Sequence, residues 1–186
     1  MMATLEARYF GIAAHVDRVS RYTEIIAKEL GIAASSARTL RGAARLHDVG
    51  KLATPDSILL KPGPLTTTER SVIQLHTLIG YDLLRSSETE FLDAAAVIAL
   101  SHHERWDGTG YPHQLPGTDI PLEARIAALA DAFDSLTRDR PYRPALNFSE
   151  ALELVRQGRG TQFDPDIVDA FFVAEAEIRS VRALTS

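Results

Sequence analysis

The sequence predicts an all-α fold, and three observations predict it. Apolar residues recur at i, i+4 and i+7 through most of the chain. No segment alternates convincingly with a strand's period of two. Capping and stop residues stand at the ends of the periodic segments. At 186 residues the expectation is one domain, a helical bundle over residues 1–186.

The elements follow in order. Ile12, Val16, Val19, Ile26 and Leu30 form the first stripe, with Gly31 as its stop. Leu40, Ala43, Ala44 and His47 form the second; Asp48 follows, and Gly50 is expected to turn the chain out of the helix. Thr54 to Pro64 is rich in turn residues. Thr66 opens the next helix as N-cap, and Glu69 completes a capping box. That helix carries Val72, His76, Ile79 and Leu83 as one element. Another begins at about Glu88 and runs through Leu92, Ala96 and Ala99 to His102 and His103. Periodicity fails from Glu104 to Pro121, a stretch holding Gly108, Gly110, Gly117, Pro112 and Pro116. An aperiodic stretch of that length inside a compact domain is uncommon and often functional. A helix resumes near Leu122 with Ile126, Leu129, Ala130 and Phe133 apolar, and breaks between Asp139 and Pro144. Asn147 and Glu150 make a second capping box for a helix ending near Gly158. Asp164 and Pro165 supply the N-cap and first residue of the last helix.

Composition narrows the function. The net charge of −5 lacks the basic footprint that duplex nucleic acid requires. It does not exclude a phosphate ligand, because metals can supply local positive charge. No apolar run approaches the roughly 18 residues of a membrane span, and MMATLEARYF does not read as a signal peptide. Cysteine is absent, which excludes disulfides and thiolate metal sites and fits a cytoplasmic location.

The chemistry-bearing residues are histidines and acids. His15, His47, His76, His102 and His103 lie in or beside helical segments, and His113 lies in the long loop. His47-Asp48 and His102-His103 are adjacent pairs. Neighbours on a helix point about 100° apart, so at a helix end each pair is expected to reach different ions of a cluster. Asp131 sits among Ala127, Ala128 and Ala130, where a carboxylate is costly to bury unless paired or metal-bound. Taken singly, each has an ordinary reading: a core histidine, a helix-end charge partner, a surface acid. Together they point to a metal site. Mixed imidazole and carboxylate donors suit iron, manganese, zinc, cobalt or nickel over calcium or magnesium.

These residues sit in longer stretches: HVDRVSRY at 15–22, LHDVGKLATPDSILLKPGPLT at 46–66, HTLIG at 76–80, HHERWDGTGYP at 102–112, IPLEARIAALADAFDSLTRDRPYR at 120–143 and GTQFDP at 160–165. In them the sequence closely resembles the HD-GYP family, a branch of the HD superfamily of metal-dependent phosphohydrolases. The combination of HHExxDGxGYP with HDxGK is highly specific, and the resemblance covers nearly the whole chain. It implies an HD-type bundle whose long Gly/Pro-rich segment is the GYP loop, Gly110-Tyr111-Pro112. It implies metal ligands at His15, His47, Asp48, His76, His102, His103 and Asp131, and catalytic roles for Asp48 and Lys51. Lys51 is implied to approach a substrate phosphate or a bridging ligand; Tyr111, Arg140 and Arg143 are implied to contact the nucleotide. Without the resemblance, Lys51 and the two arginines read as solvated surface charges and Tyr111 as loop packing.

Two positions depart from the family pattern. Some members hold a third metal with a Glu one turn before the first histidine, where this chain has Gly11. The expected cofactor is therefore two divalent metals, with iron or manganese first among the transition metals. The family often has Gly two residues after the GYP proline, where this chain has Gln114. The implied reaction is hydrolysis of cyclic di-GMP to linear pGpG, and on to GMP in some members, by a hydroxide that bridges the metals. Three alternatives stay open: an HD hydrolase acting on another nucleotide, a phosphodiesterase for cyclic GMP-AMP, and a module that senses the cyclic dinucleotide or docks a diguanylate cyclase (GGDEF) domain through the GYP loop.

Overall fold

Helix α1 (Met2–Glu29) is the longest element, and its end shows how local sequence terminates a helix here. Gly31 takes φ +79°, a conformation that costs glycine least, and Ile32 N–H donates back to the Ala27 carbonyl. The structure is a computed structural model that describes residues 2–85, 89–138 and 145–184, with side chains described from residue 13 onward. Among these residues there are ten α-helices, two 3-10 segments and no strand.

Helix α2 (Ala34–Ala44) packs back along α1 and stops well before Gly50, so the expected exit at that glycine is wrong. Gly50 lies instead in a 3-10 segment, Val49–Ala53, and serves packing. A Cβ added there would lie 2.0 Å from the His76 carbonyl oxygen and 2.6 Å from the Gly80 nitrogen, so only glycine lets the two backbones meet. Helices α3 (Asp56–Leu59) and α4 (Thr67–Gln74) bury no residue. The Thr66/Glu69 capping box that opens α4 is present.

The sequence reads a single helix through Val72, His76 and Leu83, but the chain breaks at Leu75 and restarts as α5 (His76–Leu84). Leu75 keeps right-handed angles, φ −61° and ψ −16°, so no glycine or proline marks the break. Helix α6 (Glu90–Ser101) starts from a Thr89 cap and stops at Ser101, which leaves His102 as its C-cap and His103 beyond it. Helix α7 (Leu122–Leu136) follows the aperiodic stretch. Asn147 and Glu150 form the expected box on α8 (Phe148–Gln157), and Asp164 accepts from Asp166 N–H to start α9 (Pro165–Val173). The last predicted helix is two, because α9 ends at Ala174 and α10 (Glu175–Leu184) restarts.

The main core joins α1, α2 and α7 to α10. Phe133 is its centre, packed edge-on against Tyr22, Phe148 and Phe171 at ring separations of 5.5, 5.5 and 5.0 Å. Truncating such a buried ring costs about 3–5 kcal/mol. A smaller core is rich in alanine: Ala43 and Ala44 from α2, Ala95, Ala96 and Ala99 from α6, and Ala127 from α7. Small side chains let these helices approach closely, which sets the ends of α2 and α6 beside the start of α5. No helix among the described residues is long and apolar enough to cross a membrane.

Candidate metal centre

Two i, i+3 pairs face each other across α1 and α7. His15 and Arg18 lie on α1; Asp131 and Asp134 lie on α7. Asp134 is fully buried, bonds His15 Nδ1 at 2.7 Å and accepts Arg18 Nε at 2.5 Å. That arrangement turns His15 Nε2 toward Asp131 Oδ1, 3.4 Å away. Sequence reading found His15 and Asp131 and missed Asp134 and Arg18. The available signal was two opposite charges, each one turn from a candidate ligand on an otherwise apolar helix face.

Three more histidines stand at helix ends or starts, each with its ring bonded to a backbone carbonyl of the preceding turn. His47 Nδ1 bonds the Ala44 carbonyl at 2.8 Å, His76 Nδ1 the Ile73 carbonyl at 2.6 Å, and His102 Nδ1 the Ile98 carbonyl at 2.9 Å. A carbonyl can only accept, so each Nδ1 carries a proton and each Nε2 is turned toward the cluster. His47, His76 and His102 are buried, and their Nε2 atoms, with Asp48 Oδ1, have no hydrogen-bond partner among the described residues. A buried polar atom left unpaired costs about 1–3 kcal/mol. Four of them converging on one region fit bound cations that would satisfy them.

The donors fall into two groups that share Asp48. One is Asp48, His76, His102 and His103; the other is His15, His47 and Asp48. Asp48 Oδ1 lies 3.3 Å from His76 Nε2 and 3.7 Å from His102 Nε2, while Oδ2 lies 3.4 Å from His47 Nε2. Asp131 Oδ1 adjoins the second group, 3.4 Å from His15 Nε2 and 3.9 Å from His47 Nε2. The seven residues expected as ligands are thus brought together. His102 and His103 fall in the same group of neighbouring donors. The helix ends at Ser101, so helical divergence no longer separates them, and their rings sit 4.0 Å apart.

Neighbouring histidines titrate in opposite directions. Burial opposes a charge on His47, but the charge of Asp48, backed by Asp131, raises it to about 9. At His76 burial prevails over Asp48, and the value falls to about 4. Burial and the charge of His102 push His103 well down. Asp48 resists its own burial because His47 and Lys51 hold it far below the usual carboxylate range. Lys51 Nζ donates to Asp48 Oδ2 at 2.5 Å.

The aperiodic stretch folds over this centre. Glu104 is buried and accepts the backbone N–H of His113 at 2.7 Å and of Leu115 at 3.1 Å. Gly110 presses its backbone on Glu104 and Arg105, where a Cβ would lie 2.4 Å from the Arg105 nitrogen. Tyr111 N–H donates to the His103 carbonyl, and its ring stacks on His103 at 4.8 Å. Burial, then the charges of Asp48 and Asp131, push the Tyr111 phenol up, so it keeps its proton. Gln114 takes φ +57°, the left-handed region that favours the glycine often found in the family. Glu104 was not singled out from sequence, although it stands inside the HHExxDGxGYP stretch. A cavity of about 810 Å³ opens beside the centre, bounded by His102, His103, Tyr111 and Asp131 and by the end of α8. Arg140 and Arg143 lie outside the described residues.

A sequence model of the family described as HD domain matches residues 1–167. The chain is 46% identical over 177 residues to the cyclic di-GMP phosphodiesterase response regulator RpfG of Xanthomonas campestris pv. campestris, covering 95% of this chain and 47% of that one. It is 41% identical over 179 residues to 3′3′-cGAMP-specific phosphodiesterase 2 of Vibrio cholerae, covering 96% of this chain and 34% of that one. Its fold matches the crystal structure of a cyclic GMP-AMP-specific phosphodiesterase of V. cholerae (V-cGAP3) with a TM-score of 0.67 and 25% identity, covering 89% of this chain and 45% of that one. The chain therefore spans about half the length, or less, of these relatives.

Proposed function

The chain belongs to the HD domain family and carries the signature of its HD-GYP branch, and from that premise we propose that it is a metal-dependent phosphodiesterase opening cyclic di-GMP to linear pGpG. The observation that carries this reading is the set of buried, unpartnered atoms His47 Nε2, Asp48 Oδ1, His76 Nε2 and His102 Nε2. The names of the relatives support the substrate class.

The ligands we assign are His15, His47, Asp48, His76, His102, His103 and Asp131, holding two divalent metals, iron or manganese. Gly11, one turn before His15 on α1, has no side chain with which to hold a third. Bound metals supply Lewis acidity at the phosphate and acidify a water. The chain's residues do the rest. Asp48 faces both donor groups and so sets their spacing. Backbone carbonyls fix the tautomers of His47, His76 and His102, so the donors need no rearrangement before binding. Lys51, already bonded to Asp48, supplies a cation for charge developing on the phosphate oxygens. Tyr111, still protonated, is a hydrogen-bond donor toward the nucleotide. Arg140 and Arg143 are assigned to the nucleotide phosphates by resemblance.

The test is His47→Ala and Asp48→Ala, assayed on cyclic di-GMP and 3′3′-cyclic GMP-AMP with metal content measured on the same samples. Turnover should fall by at least a thousandfold, to background, with pGpG as the product of the unmodified chain. Near-normal turnover in either variant would defeat the assignment.

A further inference from the structure

The cavity beside the metal centre extends well past the groups that would face a scissile phosphate. Its far wall is formed by Leu136, Leu154, Gln157, Thr161 and Gln162. Among the described residues its lining includes no lysine, and the arginine in it, Arg105, directs Nε and Nη2 to Asp107 and Thr109. Among the described residues, that far wall presents no lysine or arginine to a second phosphate. Apolar side chains interleaved with amides suit a flat, neutral group with a polar edge, which describes a nucleobase. A cavity of about 810 Å³ falls in the range that takes a ligand of this size.

One amide on this wall is uncommitted. Gln157 donates to Glu153 at 3.1 Å, and the Thr161 hydroxyl donates to the Gly158 carbonyl at 3.1 Å. The Gln162 side chain makes no hydrogen bond among the described residues, while its backbone is held firmly. Its carbonyl accepts Trp106 N–H at 3.2 Å, and the preceding carbonyl, of Thr161, accepts Asp107 N–H at 2.8 Å. The loop is closed on itself by Phe163 N–H to Gly158 and Gly160 N–H to Phe163, each at 2.9 Å. Gly158 makes room for the Phe163 ring, since a Cβ there would stand 2.7 Å from it. The loop at 158–163 is thus locked both internally and to the strap that carries Tyr111. Gln162 is exposed, with its backbone fixed and its side-chain amide open to donate and accept.

We propose that this wall is a nucleobase subsite and that the Gln162 amide reads the edge of one base of the cyclic dinucleotide. The proposal rests on the phosphodiesterase reading above. It makes Gln162 a specificity residue whose effect is absent on a diester that has no base.

The test compares Gln162→Met, which keeps the side-chain length without hydrogen bonding, and Gln162→Ala. Each is assayed on cyclic di-GMP and on bis(p-nitrophenyl) phosphate, with the metal-loaded chain. The ratio of kcat/KM on cyclic di-GMP to that on the simple diester should fall about tenfold in both variants, mostly through KM, the size expected for one or two neutral hydrogen bonds. A ratio that stays at the unmodified value overturns the subsite, whether both activities persist or both fall together. A ratio that falls in the alanine variant alone assigns Gln162 to packing and also overturns it. An unmodified chain that cuts the simple diester and leaves cyclic dinucleotides intact overturns the cyclic-dinucleotide reading of the proposed function, and the subsite with it. That failure is read before any variant is made.

Discussion

His47 meets two requirements with one ring. Its Nδ1–H satisfies a carbonyl at the end of α2, which leaves Nε2 aimed at the cluster. In the metal-free fold Asp48 and Asp131 raise its pKa to about 9, so below that pH the ring holds a proton that a metal must displace. His76, at about 4, is already neutral at pH 7 and releases none. Metal binding at pH 7 should therefore release about one proton from His47, and affinity should rise by up to about tenfold per pH unit as the pH climbs toward 9. Calorimetry in buffers of different ionisation enthalpy reads that proton directly; binding heats independent of buffer would contradict it. Asp134 acts through His15 by orienting its ring. Replacing it (Asp134→Asn) should weaken metal affinity by about 10–100-fold and lower the melting temperature, because Arg18 loses a buried counter-charge. A metal titration that matches the unmodified chain would deny Asp134 that role.

At the scale of elements, the centre depends on α2, α5 and α6 ending or starting where they do. Gly50 holds the turn after α2 against the first residue of α5. In Gly50→Ala the new Cβ would meet backbone, which cannot swing aside as a flexible side chain can. The expected outcome is separation of His76 from Asp48, with helix content largely kept and the metal capacity of the Asp48, His76, His102 and His103 group lost. Circular dichroism and metal analysis on one sample check this; full metal loading would refute it. The same elements show what sequence can reveal. Thr66/Glu69 and Asn147/Glu150 announced their helices because capping is local chemistry. The breaks at Leu75 and Ala174 were silent, since neither residue is a glycine or proline. Gly50 was read as a turn residue because its reason, a neighbouring backbone, is far away in sequence. Asp134 and Glu104 were missed for the same cause: their partners, Arg18 and the backbone of residues 113 and 115, come together only in the fold.

Over the whole molecule, a chain of net charge −5 is proposed to take a doubly anionic substrate. The charge proposed to attract it is local: two divalent cations at the assigned ligands, with Lys51 beside them, next to a far cavity wall that holds no lysine or arginine among the described residues. The bundle serves to hold five helices so that buried imidazoles and one shared carboxylate converge. The central claim is that this convergence is a two-metal hydrolytic centre. It is tested most directly by stripping the chain of metal, adding back iron(II) or manganese(II) without oxygen, and following pGpG formation from cyclic di-GMP against metal added. The account predicts no product from the stripped chain and a rate that rises to a plateau at two metals per chain. Turnover without metal, or a plateau at three metals per chain, would contradict it.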